Sequence, residues 1–385
     1  MKKKILIALI AMSACDAPEK TDGAEFRSST PTCNNVSAAV GDGVTNDTVA
    51  IQNALDNSDA VCLGSGTYLV DKLTIDTPVK FGGEGPGATV LLMTDQDNVG
   101  ILIDDTWRNG SEQDGETYPG GLDDTRARVQ IFDLALVGDS EVSKSQDGIA
   151  TYDRVDDLLI DNVHMLGMHG TCLSLGERGT LGLVRESMFR GVHMRECGQT
   201  GVIISTGPTA GDMTNQLRFE DLRVIHPHGD GVRIVNTRND PMRRLDFAQT
   251  MLHGGTESAN MFHVQGDVQS GKLSGFVNGI YGSTTRGVLF EDDNTSGESP
   301  SHWTLDLDIR ALSWTGIRLQ DDTARVQVRG TMEVGSIDGG TGDVFSVGAD
   351  VRSVGWLVPF VPSSRVNWGS TAARNSSFTW SLTTP

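Results

Sequence analysis

Positive charge is scarce in this chain of 385 residues. Lysine and arginine total 31 against 51 aspartates and glutamates, a formal net charge of −20. Phosphate neutralisation needs a basic footprint, so nucleic acid is excluded as the expected partner. A polyanionic glycan is repelled too, unless a local basic patch or a bound cation offsets the field. Aromatic residues are few, at 6%, and 12 prolines stand against 46 glycines. That balance fits many turns between short strands. The chain also lacks a zinc signature, a phosphate loop and a nucleophile elbow.

Long apolar runs are missing as well. Ile5 to Met12 is too short to span a bilayer, and it follows the basic trio Lys2–Lys4. With Met12-Ser13-Ala14-Cys15 behind it, this stretch reads as a signal peptide over residues 1–15. Its ending resembles a bacterial lipoprotein signal, which implies lipidation of Cys15, although Met12 stands where leucine is usual. Ordinary secretion is the alternative. Asp16 then resembles an inner-membrane retention signal. Residues 16–33 are polar and patternless, a flexible tether. The expected location is the cell envelope through the lipid anchor, the sole membrane contact, or the medium. Four cysteines remain, and an exported protein can form disulfides. Cys33 and Cys62 flank early strands and are the expected pair, whereas Cys172 reads as a buried thiol rather than a partner of Cys197.

The segment Val36 to Val70 sets the architecture. It holds a Gly41-Asp42-Gly43 turn, a cap at Asn46 or Asp47, and Ala50, Ile51, Ala54 and Leu55 at helical spacing. Val61-Cys62-Leu63, a Gly64-Ser65-Gly66 turn and Thr67-Tyr68-Leu69-Val70 follow. A short amphipathic helix between short strands suits a lid on a stack of strands. AVGDGVTNDTVAIQNAL with VCLGSGTYLV resembles the opening segment of the pectate lyase superfamily, in its rhamnogalacturonase/epimerase-like branch. Asn46 replaces the family's usual Asp, and Ser65 its common Pro. The resemblance implies an all-β fold: a single-stranded right-handed parallel β-helix with a short N-terminal capping helix.

The repeat supports this independently. LALVGD, VHMLGM, VHMREC, LRVIHP, MLHGGT, IYGSTT and IRALSW begin at Leu134, Val163, Val192, Leu222, Met251, Ile280 and Ile309. Their spacing is 29, 29, 30, 29, 29 and 29 residues. Each precedes a second strand, usually after glycine, and the period suits a coil of three short parallel strands. The helix is expected over 34–360, with a cap or tail over 361–385. Residues 104 to 128 break the rhythm as a long loop.

In the second strands the expected inward column is Ile149, Cys172, Val202, Val232, Phe262, Val288 and Ile317. The expected outward one is Ala150, Leu173, Ile203, Arg233, His263, Leu289 and Arg318. Asp147, Gly170, Thr200, Asp230, Asn260, Arg286 and Thr315 stand at the leading turn. His226, His228, Asp230, Arg233, Asn260 and His263 thus gather on the middle coils. The catalytic candidates are Asp230, Arg233, His263 and His228, with Asp147, Asn260 and Arg318 as substrate-binding candidates. An outward polar ladder without function is the competing reading.

Related polygalacturonases carry aspartates at the leading turn, and Asp147-Gly148-Ile149 and Asp230-Gly231-Val232 resemble fragments of that pattern. The family's double aspartate is absent, with His169-Gly170-Thr171-Cys172 in its place, and so is its Arg-Ile-Lys motif. Asp147 and Asp230 are three coils apart, about 14 Å, whereas inverting hydrolases hold their carboxylates roughly 6.5–9.5 Å apart. A second ladder, His164, His193 and Arg223, lies one residue after the first-strand apolar positions. His226-Pro227-His228 lacks a third ligand for a metal.

These readings point to a carbohydrate-active protein, a polysaccharide lyase or glycoside hydrolase acting on a uronic-acid-containing polysaccharide. The alternative is a non-catalytic glycan-binding, adhesive or tailspike-like β-helix. No metal ligand set is assigned, calcium is one open cofactor, and a homo-oligomer such as a trimer is left open. Cys15→Ala should release the protein from the membrane fraction. Equal release of wild type and variant would remove the lipoprotein reading.

Overall fold

The computed structural model describes residues 34–94, 99–104, 129–138, 146–207, 214–236, 238, 240–254, 260–279, 286–292, 299–310, 315–320 and 323–333. It also describes the strands Asp343–Val347, Gly355–Leu357 and Val366–Trp368. The signal segment with Cys15, the tether, Cys33, the 105–128 loop, Ile280 and most of the C-terminal tail lie outside these residues.

The chain is a right-handed parallel β-helix, and every strand pairing in it is parallel. The helix Thr48–Asn57 closes its first coil, burying Ile51 and Leu55. Asn46 Oδ1 accepts from the Thr48 amide at 3.0 Å. Asp47 instead turns back to accept from the amides of Val40 and Gly41. Gln52 fastens the lid, since its side chain both accepts from Thr74 N and donates to Thr74 O. Backbone groups on the open edge of the strand Leu73–Ile75 are thereby satisfied.

Each coil has three faces separated by corners in the left-handed backbone region. One corner column runs Asp157, Glu186, Gln216, Arg244, Ser270, His302 and Arg325. A second runs Asp133, Asn162, Gly191, Asp221 and Gln249, and a third Gly167, Glu196 and His226. Their φ values span 49 to 65°, and each non-glycine corner costs about 1 kcal/mol. Coil-to-coil hydrogen bonds such as Glu186 N to Asn215 O and Asp221 N to Ala248 O hold them in place. The sequence reading looked for glycine turns, whereas these corners are mostly polar residues.

The first face carries the strands Asp147–Asp156, Leu173–Arg185, Val202–Ser205, Val232–Asn236, Asn260–Gly266, Arg286–Glu291 and Thr315–Leu319. Its inward column is Ile149, Leu173, Val202, Val232, Phe262, Val288 and Ile317. This corrects the expected column at one place: Leu173, not Cys172, is in register with it, with Ser174 next, although Cys172 is buried in the same core. Cys172, one position earlier, is bonded to Cys197, with Cα atoms 5.6 Å apart. The buried-thiol expectation is therefore wrong. Cys62 is disulfide-bonded as well.

On the face carrying Leu159–Leu166, His193–Arg195 and Arg223–Ile225, the residues Leu134, Val163, Val192 and Leu222 align as expected. Met251 does not, since it pairs with Arg223 and leaves Thr250 in line with Leu222. Ile309 stacks on Val277, in the next inward column. The cause is uneven coil length: Arg223 to Met251 is one residue shorter than the repeat, and Thr250 pairs Gly275 after a bulge. Aromatic rings fill the centre. Phe189, Phe219 and Phe247 stack nearly parallel at 4.4 and 4.6 Å, and Trp303 packs edgewise on Phe262 and Phe290.

Val192 lies fully buried in this core. Val192→Asp would bury an unpaired charge at a cost of several kcal/mol. Thermal unfolding should show a Tm collapse or no cooperative transition, and a near-native Tm would contradict the stacking.

Candidate functional site

The middle coils of the first face bring several expected residues together. Gly231 lets the chain pass hard against the next coil, since a Cβ there would lie 2.5 Å from Met261 O. That approach brings Asp230 to its counterpart one coil on. Asp230 Oδ1 accepts from Asn260 N at 2.8 Å and from Asn260 Nδ2 at 3.1 Å. Asp147 has the same local role, its Oδ1 accepting from Thr171 N at 2.8 Å. Both aspartates of the Asp-Gly fragments therefore staple a backbone amide of the following coil. Asp147 then pairs with Arg178 at 2.6 Å and stays with its own coils.

Asp230 goes further. Alternation between the buried Phe262 and Val264 turns His263 to the outer side, yet only 7% of it is exposed. Asp230 Oδ2 lies 2.9 Å from His263 Nδ1, and Glu291 Oε1 lies 2.9 Å from His263 Nε2. Glu291 was missed in the sequence. It sits one coil on and two residues along, opposite Gln265, within diagonal reach of a long side chain. The second outward position of these strands was the available signal.

Charge follows from this geometry. Burial opposes a proton on His263, but the hydrogen bonds and charges of Asp230 and Glu291 outweigh it and raise its pKa above the ordinary 6.5. Burial pushes Asp230 up, but His263 and the two Asn260 donors bring it below the ordinary aspartate value. Glu291 is lowered chiefly by the His263 hydrogen bond, against burial, with help from Arg233 and Arg318. The three side chains thus form a carboxylate, imidazole, carboxylate bridge that favours the protonated ring.

Arginines surround it. Arg233 stands beside His263 in register, with Nη2 3.5 Å from Gln265 Oε1. Arg286 stands beside Asn260, and burial and the nearby Arg318 lower its pKa against the pull of Glu291 and Asp230. Arg318 stands beside Leu289. With the Gln320 amide oriented to suit its neighbours, its oxygen accepts from Arg318 Nε and Nη2, and its nitrogen donates to Glu291 Oε2 at 3.3 Å. Counting Asp230, Glu291, His263 and the three arginines, the cluster is positive in a molecule of net charge −20.

Other expected residues stay apart. His228 is exposed and outside the network. His226 meets His253 edge to face at 5.1 Å on another side of the coil. The second ladder is real: His164 and His193 stack at 4.6 Å, with Arg223 next in register. Burial, then the charges of His193 and Arg223, push His164 down to about 4. Asp221 binds both His193 and Arg223. Among the described residues no group of three or more His, Cys, Asp or Glu is arranged to hold a metal.

No family model matches the sequence, and no curated protein matches it either. Among solved structures, the Agl-KA catalytic domain superposes with a TM-score of 0.52 at 11% identity, covering 94% of this chain and 70% of that one. The Dettilon tailspike protein superposes with a TM-score of 0.51 at 12% identity, covering 90% and 68% respectively. A mannuronan C-5 epimerase A-module from Azotobacter vinelandii is 18% identical over 85% of this chain and 100% of the module, at a TM-score of 0.45. The likeness is one of fold, the parallel β-helix.

The bridge has a measurable signature. Raised in the folded state, the His263 pKa contributes stability present below about 6.5 and lost as pH rises through the folded value. At pH 6.5 a free imidazole is half-deprotonated, whereas His263 should be more than half protonated, so its ring NMR resonance should titrate with a midpoint above 6.5. A midpoint at or below that value would contradict the bridge.

Proposed function

We propose that this protein acts on a uronic-acid-containing polysaccharide laid across the His263 cluster, and that it cleaves by β-elimination. The observation that carries the reading is the ring of Arg233, Arg286 and Arg318 around a buried carboxylate-bridged histidine. β-Elimination of a uronate needs positive charge on the substrate carboxylate and an acceptor for the C5 proton. The electron pair left behind forms the C4–C5 double bond, the C4–O bond breaks, and the departing oxygen takes a proton. Arg233, a guanidinium at rest, clamps the carboxylate, and takes the C5 proton only after giving up one of its own.

Hydrolysis is the weaker enzymatic reading. A carboxylate pair that hydrolyses glycosides keeps one carboxyl protonated near neutrality. Asp230 and Glu291 are both lowered instead. A second reading, glycan binding without cleavage, is favoured by one observation: both His263 nitrogens are already engaged with carboxylates. The functional reading includes export and anchoring through Cys15, as the N-terminal sequence suggests.

Incubation with a panel of uronate and neutral polysaccharides, followed by ultraviolet absorbance of unsaturated uronate and by reducing ends, separates these outcomes. Absorbance with new ends supports elimination, ends alone support hydrolysis, and binding without either supports a lectin-like role. On the substrate so identified, Arg233→Ala should lower turnover at least about a hundredfold with Tm nearly unchanged. Arg233→Lys keeps the charge but loses the fork, so partial activity would assign Arg233 mainly to the clamp. Full activity of the alanine variant would move the site, with the His164, His193 and Arg223 face next in line.

A further inference from the structure

Several arginines elsewhere on the solenoid sit against carboxylates. Arg178, Arg185, Arg190, Arg218, Arg223 and Arg310 each form an ion pair with an aspartate or glutamate. In a chain with 51 acidic residues that is the expected fate of a guanidinium. Arg233 and Arg318 differ: among the described residues neither lies within ion-pair distance of a carboxylate. Each is held by a neutral amide, Arg233 by Gln265 and Arg318 by Gln320. The Arg233 Nε is also buried without a hydrogen-bond partner.

A carboxylate in place of either glutamine would hold the guanidinium as firmly but cancel its charge. An amide oxygen fixes direction and leaves the charge for a ligand. The two strands that carry these arginines are three coils apart, about 14 Å between backbones at strand spacing. Glu291 stands between them and feels both charges. A chain with a negative charge on every sugar can meet guanidinium groups projecting from strands that far apart.

We propose that Gln265 and Gln320 are positioning residues that keep Arg233 and Arg318 aimed and charged for a polyuronate chain, and that they set the site's preference for charged over neutral glycans. The proposal rests on the reading of this site as one for an acidic polysaccharide. Its test is calorimetric titration of the full chain with oligogalacturonate and oligomannuronate, with monomeric galacturonate, a neutral oligosaccharide and inorganic phosphate as comparison probes, each at several salt concentrations.

Wild type should bind at least one oligouronate more tightly than the other probes, with affinity falling as salt rises. Gln265→Glu and Gln320→Glu should each weaken that binding at least about tenfold and flatten its salt dependence, because the new carboxylate neutralises an arginine. Gln265→Met and Gln320→Met should weaken it several-fold and keep the wild-type salt dependence, because only the aim is lost. Tm, measured for every variant, should stay within a few degrees of wild type. Glutamate variants that bind like wild type overturn the inference while the acidic-glycan reading stands. So does a loss in the glutamate variants without any loss in the methionine variants, which would indicate general repulsion. Tightest binding of phosphate or monomeric galacturonate overturns the polymer specificity. Failure of wild type to bind any oligouronate overturns both the inference and the reading beneath it.

Discussion

One constraint organises the molecule: the backbone of every coil is paired only with the coils before and after it. Parallel strands satisfy this on the flat faces without difficulty, but the corners do not. At each corner the chain turns sharply while its amides must still find partners in the next coil. Three columns of left-handed residues meet that demand, and only two of the corner residues in those columns are glycine. The strain accepted at Asp, Asn, Glu, Gln, Arg and His corners is offset by the coil-to-coil bonds those corners make. The flat faces, the stacked phenylalanines and the outward polar columns all follow from these turns.

The same constraint explains how a chemical cluster arises on a scaffold of stacked coils. Residues far apart in sequence become neighbours when the repeat brings them round, so one polar residue per coil suffices to build a column. Asp230 comes from a leading turn, His263 from the following coil, and Glu291 from the one after that. Each carboxylate would be an ordinary surface group alone. Joined through a nearly buried imidazole they become a fixed charge pattern, and the neighbouring arginines reverse the sign of the local field.

The architecture was legible in the sequence because its signals are local. Gly41-Asp42-Gly43, the two-turn apolar face around Ile51 and Leu55, and the recurrence near 29 residues each report a feature that needs no knowledge of distant neighbours. Register was less legible. A coil shortened by one residue exchanges Met251 for Thr250 in the inward ladder, and on the first face the column takes Leu173 rather than Cys172. In the site, Asp230, Asn260, Arg233, His263 and Arg318 could be grouped because they share a column or a turn. Glu291, Gln265 and Gln320 could not, because their parts depend on diagonal contacts between coils. Asp147 shared the motif of Asp230 but only its backbone-stapling half.

The bond between Cys172 and Cys197 has a mechanical consequence. A solenoid pulled at its ends yields one coil at a time, since each coil is held by its neighbours alone. The two cysteines are separated by 25 residues, close to one full circuit, so the bond closes that circuit into a covalent ring. Peeling that advances through the later coils stops there while the bond is intact, and a load must instead break several rows of backbone bonds together. The coils most protected by this rivet adjoin the His263 cluster, and an end-on tug from a bound polymer would leave them wound.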